Sequence, residues 1–234
     1  MKGKHVVVVG AGPGGLSISM LLASKGFRVS LYEKEAVVGG RNATLKLGKH
    51  RFDTGPTFLM MSFILEELFA ESGRNLSDYC ELKELDPMYK LTFKDKSIYP
   101  TVNKDRMKLE IARMFPGQEE GVERFYQTEE IRYKKMYPCL QEPYGSLGSA
   151  FSPKLLKALP HLSLGKSLFQ VLGNYFSDDL LKMAFTFQAK YLGMSPWECP
   201  AAFSIIPYIE HAYGIYHVTG GLSRISEAME EVAR

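Results

Sequence analysis

One stretch near the start of the chain limits its fold more than any other: HVVVVGAGPGGLSISMLLASKGFRVSLYEK, residues 5–34. His5 to Val9 is a valine run of the kind found in a strand buried on both faces of a parallel sheet. Gly10, Gly12 and Gly15 then fit G-x-G-x-x-G. Leu16, Met20 and Ala23 follow at helical spacing, and Lys25-Gly26 predicts the helix end. Arg28 to Tyr32 predicts a second strand that stops at Glu33. Each part has a physical task. Gly10 permits the tight turn, Gly12 lets backbone approach a pyrophosphate, and Gly15 lets helix and strand pack closely. The helix N-terminus favours the anionic phosphates. The candidate cradle is therefore Gly10, Ala11, Gly12, Pro13, Gly14 and Gly15. Glu33 lies 18 positions after Gly15, where a carboxylate can accept from ribose hydroxyls, with Lys34 beside it. A lone glycine pattern is weak evidence. The strand before it, the helix after it and the acid beyond the second strand make it strong.

NAD and FAD both use such a unit, so these residues do not choose between them. Glu33 would repel a 2′-phosphate, which makes NADP the least favoured of the three. The next residues carry Gly39-Gly40-Arg41 and then Asp53-Thr54-Gly55-Pro56-Thr57. Gly40 allows close backbone approach, and Arg41 offers a guanidinium to phosphate. E-K-x5-G-G-R followed by F-D-x-G-P-T resembles the FAD-binding amine-oxidase superfamily. Within it the chain is similar to the bacterial and archaeal phytoene-desaturase (carotenoid desaturase) group. "AFTFQAKYLGMSP" and "YIEHAYGIYHVTGGL" carry the likeness to that branch, with Val218 where many relatives have proline. The resemblance implies FAD as cofactor, with Gly55, Pro56 and Thr57 near the flavin ring. It implies an FAD-dependent oxidoreductase that desaturates a long apolar isoprenoid by hydride transfer to flavin N5. Such chemistry needs position and exclusion of water more than charged catalytic groups. No catalytic residue is assigned from the sequence. Glu210 and His211 have two readings, proton-handling groups near the substrate or, more commonly for such residues, groups that cap or solvate a helix, and Cys199 with His211 has no third group to orient it.

Composition excludes other classes. Hydrophobic residues make up 45% and charged residues 24% of the 234, which is ordinary for a globular protein. A net charge of +3, from 29 basic and 26 acidic side chains, does not argue for nucleic acid. Cys80, Cys139 and Cys199 give neither a disulfide framework nor metal spacing. The histidines form no H-x-x-x-H pair, so no metal site is expected. Lys2 and Lys4 before an apolar run imitate a signal peptide, but the glycines at 10, 12, 14 and 15 interrupt it. A cytoplasmic protein is expected, peripheral to the membrane at most, since no run of 18 apolar residues is free of Gly or Pro.

The expected fold class is α/β: an incomplete Rossmann-like FAD/NAD(P)-binding domain with an α+β, mostly helical substrate domain. Residues 1–75 would form the N-terminal part of the nucleotide-binding domain, 76–215 a substrate- and membrane-facing domain, and 216–234 a segment returning toward the nucleotide. "ATLKLGKHRFDTG" predicts a hairpin turning at Gly48, and prolines from Pro116 to Pro207, Pro138 among them, are expected to punctuate the helices beyond residue 104. Residues 143–177 contain no Asp or Glu but hold Lys154, Lys157 and Lys166 among leucines and phenylalanines. Two readings stay open there: a membrane-surface patch, or core helices with solvated lysines. Two parallel strands rarely bury both faces, so the chain is expected to be the N-terminal part of a longer protein, with a C-terminal half or a complementing chain as partner. Two alternatives to the desaturase remain. One is another flavoenzyme of the superfamily, such as a carotenoid isomerase or oxidase, or a porphyrinogen or amine oxidase. The other is a truncated, non-catalytic nucleotide-binding module.

Overall fold

A computed structural model describes residues 3–93, 95–146 and 152–234. The chain divides into two compact units, residues 1–85 with 215–234, and residues 86–214.

The first unit begins with β1 (His5–Val9), α1 (Pro13–Ser24) and β2 (Arg28–Tyr32). β1 and β2 pair in parallel, with Val7 opposite Ser30 and Val9 opposite Tyr32. The helix is the crossover that a parallel pair requires. A hairpin follows, β3 (Thr44–Leu47) with β4 (His50–Asp53), turning at Gly48, whose φ of +60° suits glycine. α2 (Ser62–Glu71) comes next, with Gly73 beyond its end. β5 (Leu82–Glu84) pairs antiparallel with the late strand β8 (Tyr216–Val218), which leads into α9 (Ser223–Ala233). The core of the unit lies between helices: Leu16 and Met20 of α1, Phe69 of α2, and Ile225 and Met229 of α9 are all buried. α1 packs against α9, so residues more than 200 positions apart close one core.

The valine run departs from its expected environment. Val7 is 56% exposed and Val9 84%, and Tyr32 on the paired strand is 61% exposed. The sheet consists of β1 and β2 alone among the described residues, so no strand or helix covers the side chains that alternate away from α1.

The second unit opens with a hairpin, β6 (Leu91–Phe93) and β7 (Lys96–Ile98), and is otherwise helical. α3 (Lys104–Met114) is capped by Asn103, which accepts from the Arg106 N–H at 2.9 Å. α4 (Glu119–Leu140) is the long helix of the unit. Pro138 lies inside it and does not stop it. The proline falls in the last turn, where its missing N–H forfeits one helical bond and the helix ends at Leu140. α5 (Pro153–Ala158), α6 (Leu168–Leu172) and α7 (Asp179–Ala184) are short and start on side-chain caps from Ser152, Ser167 and Asp178. α8 (Ile205–Tyr213) packs on α4 through aromatic contacts such as Tyr133 with Tyr208, ring centroids 5.7 Å apart. Of the stretch 143–177, residues 147–151 lie outside the described residues. No helix among the described residues is long and apolar enough to cross a membrane.

Candidate functional site

The predicted cradle residues meet in the first unit, where three separate segments close on one another through glycines. At the end of β1 the Gly10 N–H donates to the Tyr32 carbonyl at 2.7 Å, and a φ of +94° turns the chain out of the strand. Gly12 is the N-cap of α1 and Pro13 its first residue, a position where the missing proline N–H costs nothing. The first turn has neither a side-chain cap nor an acidic residue. Its orphan N–H groups and the positive end of the helix dipole therefore favour an anion. At Gly15 an added Cβ would lie 1.9 Å from the Gly10 carbonyl oxygen, so only glycine lets helix and loop approach this closely. At Gly12 and Gly14 an added Cβ would meet nothing within 4 Å. The space in front of those two residues is open.

The second segment is the Gly39-Gly40-Arg41 turn. The Gly39 N–H donates to the Ala11 carbonyl at 2.7 Å. A Cβ on Gly40 would lie 3.3 Å from the Cα of Gly12, so the turn is packed against the loop itself. The third segment joins through Gly55, where an added Cβ would lie 2.2 Å from the Arg41 carbonyl oxygen. Gly12, Gly40, Arg41 and Gly55 thus form a continuous backbone contact. Arg41 is exposed and has no acidic partner among the described residues. Gly55, Pro56 and Thr57 are exposed, and Thr54 fixes their loop by donating from its hydroxyl to the Ala43 carbonyl at 2.9 Å.

Glu33 follows β2 directly. Its carboxylate accepts from the Ala11 N–H at 2.6 Å and from the Glu35 N–H at 2.9 Å. Backbone donation from Glu35 first, and then Ala11, holds the carboxyl below the usual carboxylate range. It is therefore charged at neutral pH. A carboxylate offers about four acceptor directions, so capacity remains for a hydroxyl donor. Lys34 turns instead to Glu35, 3.4 Å away, and both are exposed.

Two features escaped the sequence reading. Asp53 accepts from the Leu222 N–H at 3.0 Å and so caps the start of α9. Beside it, Gly221 has a φ of +95°, and an added Cβ would lie 2.9 Å from an Asp53 oxygen. The cap residue lies 169 positions before its helix, so no local capping pattern announces it. The second feature is in the other unit. Glu210 and His211, expected to cap or solvate a helix, are both buried, at 0% and 1% exposed. The Glu210 carboxyl group receives Tyr89 at 2.5 Å, Gln188 at 2.8 Å and Tyr191 at 3.1 Å. Burial pushes its pKa up, against the pull of those three donors. The His211 ring stacks on Phe185 at 4.7 Å, and burial pushes its pKa down to about 3. The helix is buried on α4 along this face, and solvent does not reach either group.

A family model for NAD(P)-binding Rossmann-like domains matches residues 8–71. Over 229 residues the chain is 48% identical to a 4,4'-diapophytoene desaturase (4,4'-diapolycopene-forming) of Methylomonas sp, covering 98% of this chain and 45% of that protein. It is 36% identical over 235 residues to an all-trans-zeta-carotene desaturase of Myxococcus xanthus, covering 99% of this chain and 44% of that one. Among solved structures, cyclohexylamine oxidase from Brevibacterium oxydans superposes with a TM-score of 0.61 at 15% identity, over 100% of this chain and 50% of that one. That likeness shows the fold. The chain spans less than half the length of the curated relatives it matches. Over the residues it does span, it is similar to the phytoene and diapophytoene desaturases.

Proposed function

We propose that the chain holds FAD and serves the desaturation of a long apolar isoprenoid of the phytoene or diapophytoene type. The observation that carries this reading is the closure of the phosphate loop, the Gly39–Arg41 turn and the Gly55 loop on one another through glycine contacts. The phosphate loop alone serves NAD and FAD alike, and the two segments closed on it are those whose residues resemble the FAD-binding amine-oxidase superfamily. Bound FAD would supply the hydride acceptor, so that a C–C bond loses a hydride from one carbon and a proton from the next. In this reading the N–H groups of Gly12, Gly14 and Gly15 hold the pyrophosphate, together with the turn that Gly10, Ala11 and Pro13 shape. Glu33 accepts from the adenosine ribose, with Lys34 beside it. Arg41 and the backbone of Gly40 meet phosphate, and Gly55, Pro56 and Thr57 lie along the ring. The exposed Val7, Val9 and Tyr32 are the face that further polypeptide, in the same chain or a complementing one, would cover. Peripheral contact with a bilayer through residues 143–177 belongs to the same reading, because a C–C bond of this class of substrate reaches the protein from hydrocarbon.

The test is conversion. The chain is combined with a polypeptide equivalent to the remaining length of the Methylomonas relative, loaded with FAD and given diapophytoene in liposomes. The expected product absorbs at longer wavelength because its conjugated system has grown. Retained flavin with unchanged diapophytoene and unchanged phytoene would overturn the substrate assignment.

A further inference from the structure

The desaturation read above releases a proton as well as a hydride, and the proton needs an acceptor away from water. Two carboxyl groups are buried in the second unit among the described residues, Glu129 and Glu210. Arg132, 2.9 Å from Glu129, holds that one in its charged form. Glu210 has no ion-pair partner among the described residues. One of its carboxyl oxygens accepts from the Tyr89 hydroxyl at 2.5 Å and the Gln188 amide at 2.8 Å, and the other from the Tyr191 hydroxyl at 3.1 Å. Lys190 lies over the Phe187 and Tyr191 rings, 4.7 and 5.5 Å from their centroids, and acts on the carboxyl group only from a distance. Tyr126 gives its hydroxyl to the His211 carbonyl, and the His211 ring stacks on Phe185 and stays neutral.

This cluster suits Glu210 in either protonation state. Ionised, the carboxylate accepts from all three neighbours. Protonated, it donates, and each neighbour has an oxygen to receive the proton. A tyrosine hydroxyl both donates and accepts. The buried Oε1 of Gln188 has no partner among the described residues, and a half-turn of the amide brings it to the carboxyl group. Gln188 is fully buried, Tyr89 half-buried, and Tyr191 38% exposed, so Tyr191 links Glu210 to solvent. Burial, and after it the Glu210 charge, push both tyrosines above their usual range. Neither ionises, and each passes a proton on only by giving up its own as it takes another.

We propose that Tyr89, Glu210 and Tyr191 form a proton relay, in which Glu210 stores the proton released on desaturation and Tyr191 returns it to solvent. The C–H electron pair becomes the new C=C bond as the neighbouring carbon gives its hydride to the flavin. The proton enters past Tyr89, adds to the Glu210 carboxylate and leaves through the Tyr191 hydroxyl, which restores the carboxylate for the next turnover. The inference deepens the functional reading above and rests on it.

Infrared titration of the purified chain follows the carbonyl band of protonated carboxyl groups. One band should be missing from Glu210→Gln, and in the parent it should persist to a pH above the range of exposed carboxyl groups. A parent without that band overturns the proposal. Conversion is then followed in the FAD-loaded protein of the preceding test. The parental kcat should fall on the acid side as Glu210 takes up its proton. Glu210→Gln should lose that limb and lower kcat about a hundredfold, with KM, flavin binding and the thermal midpoint held. Tyr191→Phe keeps the ring and removes the outlet, and should slow turnover at least about tenfold with a larger solvent deuterium isotope effect. A Glu210→Gln profile that matches the parent overturns the relay, and so does Tyr191→Phe at the parental rate and isotope effect. A parent that binds flavin and converts nothing fails the functional reading instead, and the infrared band alone then decides the proton store.

Discussion

At Gly15 an added methyl group would strike the Gly10 carbonyl at 1.9 Å, whereas at Gly12 it would meet nothing within 4 Å. The two glycines therefore serve different ends, the first the packing of the protein and the second the space in front of it. Gly15→Ala should lower unfolding free energy by about 1–3 kcal/mol, as overpacking does, and abolish FAD binding with it. Gly12→Ala should leave stability within about 1 kcal/mol of the parent and still weaken FAD at least about tenfold, since only the ligand would meet the new methyl. Denaturant titration beside flavin binding separates the two. His211 makes a pH prediction. Its imidazole titrates near 6.5 when unfolded and at about 3 in the fold, so the unfolded chain binds the extra proton between those values. Its contribution is fully present above pH 6.5 and is lost as pH falls toward 3, by at most about 1.4 kcal/mol per pH unit. His211→Phe, which keeps a ring against Phe185, should flatten that part of the stability profile. An unchanged slope would show that the ring is not buried and neutral.

Elements are tied together by groups that a local reading cannot pair. Asp53 at the end of β4 caps α9, and Arg51 reaches Glu227 of the same helix at 2.6 Å. Asp53→Ala should cost about 0.5–2 kcal/mol, read as a lower urea midpoint with an unchanged slope. In the second unit Glu129 of α4 is fully buried. It accepts from Tyr175 at 2.6 Å and Ser204 at 2.6 Å and pairs with Arg132 at 2.9 Å. Glu129→Ala would strand the Arg132 charge and should cost about 3–5 kcal/mol, enough for calorimetry to show an early or absent transition. The strand–loop–helix start and the hairpin at Gly48 were legible because each is written in neighbouring residues: glycine spacing, turn chemistry and the helical spacing of Leu16, Met20 and Ala23. The cap from Asp53, the hold of Ala11 on Glu33 and the burial of Glu210 were not, because their partners lie 19 to 169 positions away. Pro138 misled for a related reason. A proline breaks a helix or merely ends it according to how many turns follow, and tertiary packing sets that number.

For the whole molecule, the exposed valines of β1 are the feature that most needs an explanation. A parallel strand with Val9 at 84% exposure is rare because parallel sheets are covered on both faces. In the proposed reading further polypeptide would cover this two-stranded sheet, and the curated relatives are longer than this chain. In the proposed reading the residues that hold phosphate and ribose all lie in the first unit, and that is the claim to test first. FAD is titrated into the purified chain and into Gly12→Ala at equilibrium, with ADP as competitor. The account predicts saturable binding of one FAD per chain, displacement by ADP, and at least about tenfold weaker binding in the variant. Binding that is absent, or that Gly12→Ala leaves unchanged, would contradict it.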